Sequence, residues 1–170
     1  PENRRRILKE ISSEIRKATG KDFFISAKIN GEDCIPGGLT PEDFAQTVKA
    51  VKDIDMFEVS CGVGSAALTI RSTLIPRVPG YENMSAYNVG SMEIAKKANP
   101  NASFAVVGGF RKIEEMEDAI KRGADLVSLG RPTIADPKVV KHLMEGKKIK
   151  CVSCGLCIIN STKGPVHCFI

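Results

Sequence analysis

The sequence predicts an α/β fold built on a parallel sheet, and three observations carry that reading. Strand-length apolar runs alternate with helical segments, in the order helix, strand, helix, strand, helix, strand, helix, strand, helix. From Ser103 to Pro132, two such runs (Phe104 to Val107 and Leu126 to Leu129) are joined by one helical segment. A βαβ unit of this kind implies parallel strands and a right-handed crossover. Both runs also stop in glycine at the same sheet edge, at Gly108-Gly109 and at Gly130-Arg131-Pro132. Four strands suffice for a small open sheet and are equally half of an eight-stranded barrel; periodicity does not choose between the two.

Residues 2–19 form the first predicted helix, with Ile7, Leu8, Ile11 and Ile15 at helical spacing, charges elsewhere, and Gly20 as the stop. Phe23 to Ile29 reads as the first strand, closing on Lys28-Ile29-Asn30. A loop with Gly31, Pro36, Gly37 and Gly38 leads to Thr40-Pro41-Glu42-Asp43. That is a helix start, with Thr40 as cap, Pro41 at the first helical position and acids in the first turn. Phe44, Val48 and Val51 are its buried stripe.

Met56 to Ser60 gives the second strand, ending at Cys61-Gly62. Residues 63–85, with Pro76, Pro79 and Gly80, read as a long irregular loop. Loops of that length in compact domains serve as lids or binding loops, or are disordered. Residues 86–98 return to helix, with Met92, Ile94 and Ala95 among lysines. In the helix of the βαβ unit, Ile113, Met116, Ala119 and Ile120 make the stripe. Four acids precede Lys121-Arg122, and Gly123 is the stop, an order that suits the helix dipole. A last helix is expected from Asp136-Pro137 to near Gly146.

At 170 residues the chain is long enough for one domain with a substantial core. Hydrophobic residues are 42% and charged residues 26%, as in ordinary globular proteins, and no apolar run reaches the length of a membrane span. The net charge of +5 sits largely in Arg4-Arg5-Arg6 and in Lys147, Lys148 and Lys150. Nucleic-acid binding needs a broad basic face with interleaved aromatics, and aromatics are 5% here, so neither nucleic acid nor membrane is an expected partner. The chain opens on Pro1 without a secretory signal, so it reads as a processed chain or a piece of something longer.

Glycine at two neighbouring strand ends lets a ligand approach bare backbone N–H groups, and Arg131 adds a forked cation. Phosphate is the guest that suits both. The C-terminus then reads Cys151-Val-Ser-Cys154-Gly-Leu-Cys157, with Cys168 after ten further residues. Structural zinc more often uses separated cysteine pairs or mixed histidine, whereas three cysteines at this spacing suit a [4Fe–4S] cluster, one thiolate per iron. The fourth cysteine is expected to arrive through Gly164-Pro165. Zinc, and disulfides or free thiols, remain the alternatives. His167 adjoins Cys168 as a possible shield or substitute ligand, His142 reads as a surface residue, and Cys34 and Cys61 as buried or loop thiols. Clustered reduced thiols point to the cytoplasm.

KIN at Lys28–Asn30, VVGGF at Val106–Phe110, GADLVSLGRPTIADP at Gly123–Pro137 and the cysteine tail together resemble the Old Yellow Enzyme family of NADH:flavin oxidoreductases, in its iron–sulfur branch. The order and spacing match almost the whole chain, starting with Pro1-Glu2-Asn3-Arg4. The resemblance implies the second half of a TIM (β/α)8 barrel over residues 1–150, strands five to eight, followed by a cysteine-rich tail over 151–170. It implies FMN at the carboxyl ends of the strands. Lys28 would lie near the flavin N1 and C2 carbonyl. Gly108, Gly109, Phe110, Gly130 and Arg131 would hold the phosphate, and Cys151, Cys154, Cys157 and Cys168 would hold the cluster.

The resemblance stops short of catalysis. The family's substrate-binding pair and proton-donating tyrosine are carried on the absent first half, and Tyr81 and Tyr87 match neither, so no catalytic residue is assigned. Half a barrel is expected to leave two open edges and one apolar sheet face, and hence to pair with a second copy or a separate N-terminal half. The leading expectation is part of an FMN- and iron–sulfur-dependent oxidoreductase passing hydride from NAD(P)H to a small-molecule acceptor. The alternatives are a non-catalytic half-barrel module with a phosphate site and structural zinc, and another phosphate-binding barrel enzyme.

Overall fold

The computed structural model describes residues 2–63 and 85–170. Four parallel strands form one sheet in sequential order: β1 (Ser26–Glu32), β2 (Met56–Cys61), β3 (Ser103–Val107) and β4 (Leu126–Ser128). Before β1 runs α1 (Glu2–Thr19), and between the strands lie α2 (Pro41–Ala50), α3 (Val89–Ala98) and α4 (Ile113–Lys121). After β4 come α5 (Arg131–Ala135), α6 (Val139–Met144) and α7 (Leu156–Ile159). Among the described residues β1 and β4 each pair on one side, so the sheet has two open edges. This is the architecture of a partial barrel. Among the described residues no helix is long and apolar enough to cross a membrane. Apart from its end residues, the predicted 63–85 loop lies outside the described residues.

Alternation along each strand sends every second side chain to the helical layer. Phe57 and Val59 of β2 and Phe104 and Val106 of β3 are fully buried there, against Phe44 and Val48 of α2 and Val89 and Met92 of α3. Phe57 stacks on Phe104 at 6.1 Å and meets the edge of Phe44 at 6.4 Å. α2 starts as its sequence dictates. Thr40 Oγ1 accepts from the Asp43 amide, the Asp43 carboxylate accepts from the Thr40 amide, and Pro41 opens the helix.

The opposite face of the sheet corrects the expectation of an exposed apolar surface. Lys28, Glu58, Ala105 and Leu126 share one register level on it, and Asn30, Ser60, Val107 and Ser128 the next. Lys28 Nζ pairs with Glu58 Oε1 at 2.5 Å, and Ser60 Oγ donates to Asn30 Oδ1 at 3.0 Å. Most of this face is polar, and Leu126 is its one large, well-exposed apolar side chain.

Several predicted boundaries move. The first strand begins at Ser26 rather than Phe23, and Phe23 and Phe24 are exposed. Arg16 of α1 explains the shift: its guanidinium donates to the carbonyls of Gly20, Lys21, Phe23 and Asp53 and to Asp55 Oδ2, holding 20–25 as a connector. In α1 the face against the core is Leu8, Ser12 and Ile15, while Ile7 and Ile11 are exposed. In α4 only Ala119 of the expected stripe is buried; Ile113 and Ile120 are exposed. The helix expected from Asp136 is α6, which starts later, at Val139, and the short α5 precedes it unforeseen; Asp136 sits between them, its carboxylate accepting from the Lys138 amide at 3.0 Å and meeting His142 Nδ1 at 2.6 Å. His142 is therefore partly buried rather than a free surface residue.

Asp55 supplies a pH-dependent tie between α1 and β1. Its carboxylate accepts from the Ile25 amide and from Arg16 Nη2, both at 2.7 Å, and the Ile25 amide chiefly holds its pKa below the ordinary value. A depressed pKa stabilises the fold above the unfolded carboxylate's pKa of about 3.9, and the stabilisation is lost as pH falls through the lower folded value. Asp55→Asn is expected to lower the thermal midpoint at pH 7 by about 3 °C, allowing for partial exposure. The acid limb of the midpoint-versus-pH curve should flatten, which a calorimetric series from pH 2 to 7 checks.

Candidate functional site

At the carboxyl ends of the strands lies a cavity of about 350 Å³, and its floor is made of strand termini. All six residues expected at a cofactor site line it: Lys28 from β1, Gly108, Gly109 and Phe110 after β3, and Gly130 and Arg131 after β4. The two glycine corners open into the same space. Arg131 is the first residue of α5 rather than a strand-end residue, since Pro132 initiates a helix immediately.

The backbone at the first corner is possible only for glycine. Gly108 has φ of +149°, and a Cβ there would lie 2.8 Å from Tyr87 Cε2 and 3.0 Å from Asn88 Nδ2. The Phe110 ring is buried in the core and anchors the corner from behind. Buried Asn88 ties it to its neighbour strand: Nδ2 donates to Val107 O at 2.5 Å and to Val59 O at 3.5 Å. At the second corner, a Cβ on Gly130 would meet nothing within 4 Å, so space stands open where a guest could lie.

Two cations face this space. Arg131 hydrogen-bonds Tyr87, whose phenol is pushed up to about 12, mainly by burial. Arg111 Nη1 donates to Phe110 O at 2.5 Å, and its Nη2 donates to Ser153 Oγ and approaches Cys151 Sγ at 3.6 Å. Burial holds the Arg111 pKa below its ordinary value, and the neighbouring Arg131 charge lowers it further. Among the described residues, Arg131 Nη1 and Arg111 Nε are both buried without a hydrogen-bond partner. Two guanidinium groups brought together with N–H groups unsatisfied are costly unless an anion completes them. Lys28, by contrast, is half-exposed and already paired with Glu58.

Sequence reasoning missed Tyr87, Asn88 and Arg111. Arg111 directly follows the GGF corner and was legible as a second cation. Tyr87 and Asn88 precede α3 and reach the site only through the fold. Cys61 also lines the cavity; burial pushes its thiol far up, and it hydrogen-bonds Cys34, so the expected buried and loop thiols lie side by side.

Beside this site, Cys151, Cys154, Cys157 and Cys168 line one further small cavity together with Arg131. Ser153 at φ of +62° and Gly155 at +74° turn the chain so that the tail folds over α5. Among the described residues no three His, Cys, Asp or Glu side chains close around a point that would hold a single metal ion. His167 Nδ1 meets Pro165 O at 2.9 Å, and its ring stacks on Phe169 at 4.2 Å.

The family model for the NADH:flavin oxidoreductase / NADH oxidase family matches residues 1–150. An NADH oxidase of Thermoanaerobacter brockii is 33% identical over 161 residues, 91% of this chain and 24% of that protein. A cinnamate reductase of Clostridium sporogenes is 29% identical over 167 residues, 90% of this chain and 25% of its own length. An NADPH dehydrogenase of Clostridium acetobutylicum is 32% identical over 143 residues, 82% of this chain and 38% of its length. Among solved structures, a 2-naphthoyl-CoA reductase in complex with 2-naphthoyl-CoA superimposes with a TM-score of 0.71 at 29% identity, covering 92% of this chain and 23% of that one. The chain thus spans a quarter to under two-fifths of the length of these relatives.

Proposed function

The chain belongs to the NADH:flavin oxidoreductase / NADH oxidase family, and from that premise we propose that it forms the FMN-phosphate and iron–sulfur portion of an NAD(P)H-dependent reductase. The observation that carries the reading is that Arg111 and Arg131, each with a buried N–H that has no partner among the described residues, line one cavity with the two glycine corners. A phosphate dianion supplies what they lack: negative charge, and several acceptor oxygens in one group. Gly108, Gly109, Phe110 and Gly130 would offer backbone to the same group, and Arg131 would be its principal cation. Lys28 lies at the other side of the cavity, where a cation suits the electron-rich edge of a flavin, with Glu58 setting its position.

Held there, FMN would supply the chemistry of hydride transfer between NAD(P)H and an acceptor. Cys151, Cys154, Cys157 and Cys168 would hold a [4Fe–4S] cluster. A lone zinc ion with Zn–S bonds of about 2.3 Å draws its sulfurs close to one point, whereas a cuboidal cluster gives each thiolate its own iron. The three tightly spaced cysteines, with Cys168 returning to the same cavity, support the cluster reading. Residues 1–150 are then the half barrel and 151–170 the cluster tail. The open edges of β1 and β4 support completion by an N-terminal half or a second copy, and an iron–sulfur tail suits the reducing cytoplasm.

The test is anaerobic purification followed by FMN, iron and sulfide analysis. The expected protein carries iron and sulfide in equal amounts and takes up FMN. It should show a structured band near roughly 450 nm over a broad shoulder near roughly 400 nm. A colourless protein carrying zinc and indifferent to FMN overturns the assignment in favour of a non-catalytic binding module.

A further inference from the structure

We infer that Arg111 couples the two sites, so that filling the cysteine tail tightens phosphate binding and phosphate binding secures the tail. The inference rests on the reading above, and it concerns a residue that neither motif contains. A single guanidinium spans the gap. Its Nη2 donates to Ser153 Oγ and lies 3.6 Å from Cys151 Sγ, while its side chain lines the glycine-cornered cavity with Arg131 and its buried Nε has no partner among the described residues. The third anchor, Phe110 O at 2.5 Å, belongs to the glycine corner itself.

The sign of the coupling follows from these anchors. Arg111 is held against a like charge in a poorly solvated place, so its position depends on partners. Two of those partners are Cys151, the first cysteine of the tail, and Ser153, which lies between it and Cys154. Ordering residues 151–154 around a cluster fixes them, and with them the guanidinium that faces the phosphate space. An anion in that space then holds Arg111 where Cys151 and Ser153 need it. Because the linkage is thermodynamic, both effects share one factor. Arg111 is therefore a positioning residue between two sites rather than a ligand of either alone.

The experiment compares the full chain with its cluster reconstituted and with its iron stripped, measuring FMN dissociation constants by equilibrium dialysis. The expected result is about fivefold or more tighter FMN binding with the cluster in place. Reciprocally, FMN should raise by a similar factor the iron retained at equilibrium against a chelator. Arg111→Gln should bring both ratios close to one while FMN and iron are still taken up, and Arg111→Lys should not restore them, because an ammonium cannot fork between the two sites. Ser153→Ala, a milder change, should reduce the ratios part-way. If FMN and iron both bind but the wild-type ratios are near one, or Arg111→Gln leaves them unchanged, the coupling is refuted and the proposed function stands. If FMN or the cluster is not taken up at all, the proposed function itself falls, and the coupling with it.

Discussion

Replacing Arg131 by leucine is expected to abolish stable FMN retention, with affinity falling by roughly a hundredfold to a thousandfold. The loss corresponds to about 3–4 kcal/mol, the worth of a charge-assisted contact together with the phosphate charge it leaves unmatched. The informative companion is stability without ligand. Arg131 places a second guanidinium beside Arg111, with Nη1 buried and without a partner among the described residues. Its removal relieves that repulsion at the loss of one hydrogen bond to Tyr87. Arg131→Leu should therefore unfold no earlier than wild type in the absence of FMN, but should no longer gain thermal midpoint when FMN is added. A residue with a purely structural role would show the reverse, an early unfolding transition with the ligand-induced gain preserved. Differential scanning fluorimetry with and without FMN separates the two outcomes.

The second large effect is expected at the other corner. Gly108→Ala places a Cβ 2.8 Å from the Tyr87 ring and imposes a φ of +149° on a residue that strongly resists it. The backbone strain alone is about 1–3 kcal/mol, and displacement of Tyr87 and Asn88 adds to it. A loss of about 3 kcal/mol is expected, which for a chain of this size lowers the thermal midpoint by roughly 10 °C. Gly130→Ala is the control. Its φ is −99° and its Cβ would meet nothing within 4 Å, so stability should hold while FMN binding weakens. Equal thermal midpoints for the two alanine variants would contradict the distinction drawn between the corners.

Much of this was readable from sequence because it depends on local patterns. The α2 capping box, the βαβ unit and the two glycine-ended strands are each encoded within a few residues, and the structure realises all of them. What was not readable depends on residues distant in the chain. Phe23 and Phe24 look like strand residues, yet Arg16 captures the carbonyls around them and delays β1. Asp136 looks like a helix start, but the helix begins only at Val139, and the short α5 ahead of Asp136 left no apolar period to read. Tyr87 gives no local sign of its place; it reaches the cavity because α3 packs against α2 beneath the sheet's end. Arg111 was the more accessible omission, a cation beside a recognised motif that spacing alone did not connect to Cys151.

The polar ladder of Lys28, Glu58, Asn30, Ser60 and Ser128 also bears on how this sheet meets any complement. A greasy surface would stick to many things; this one is content in water and gains from contact only when donors and acceptors are matched. Assembly across it is thus governed by fidelity rather than by adhesiveness. Enclosure would remove the Lys28–Glu58 pair from solvent, so a mismatched lid would leave stranded charge behind it.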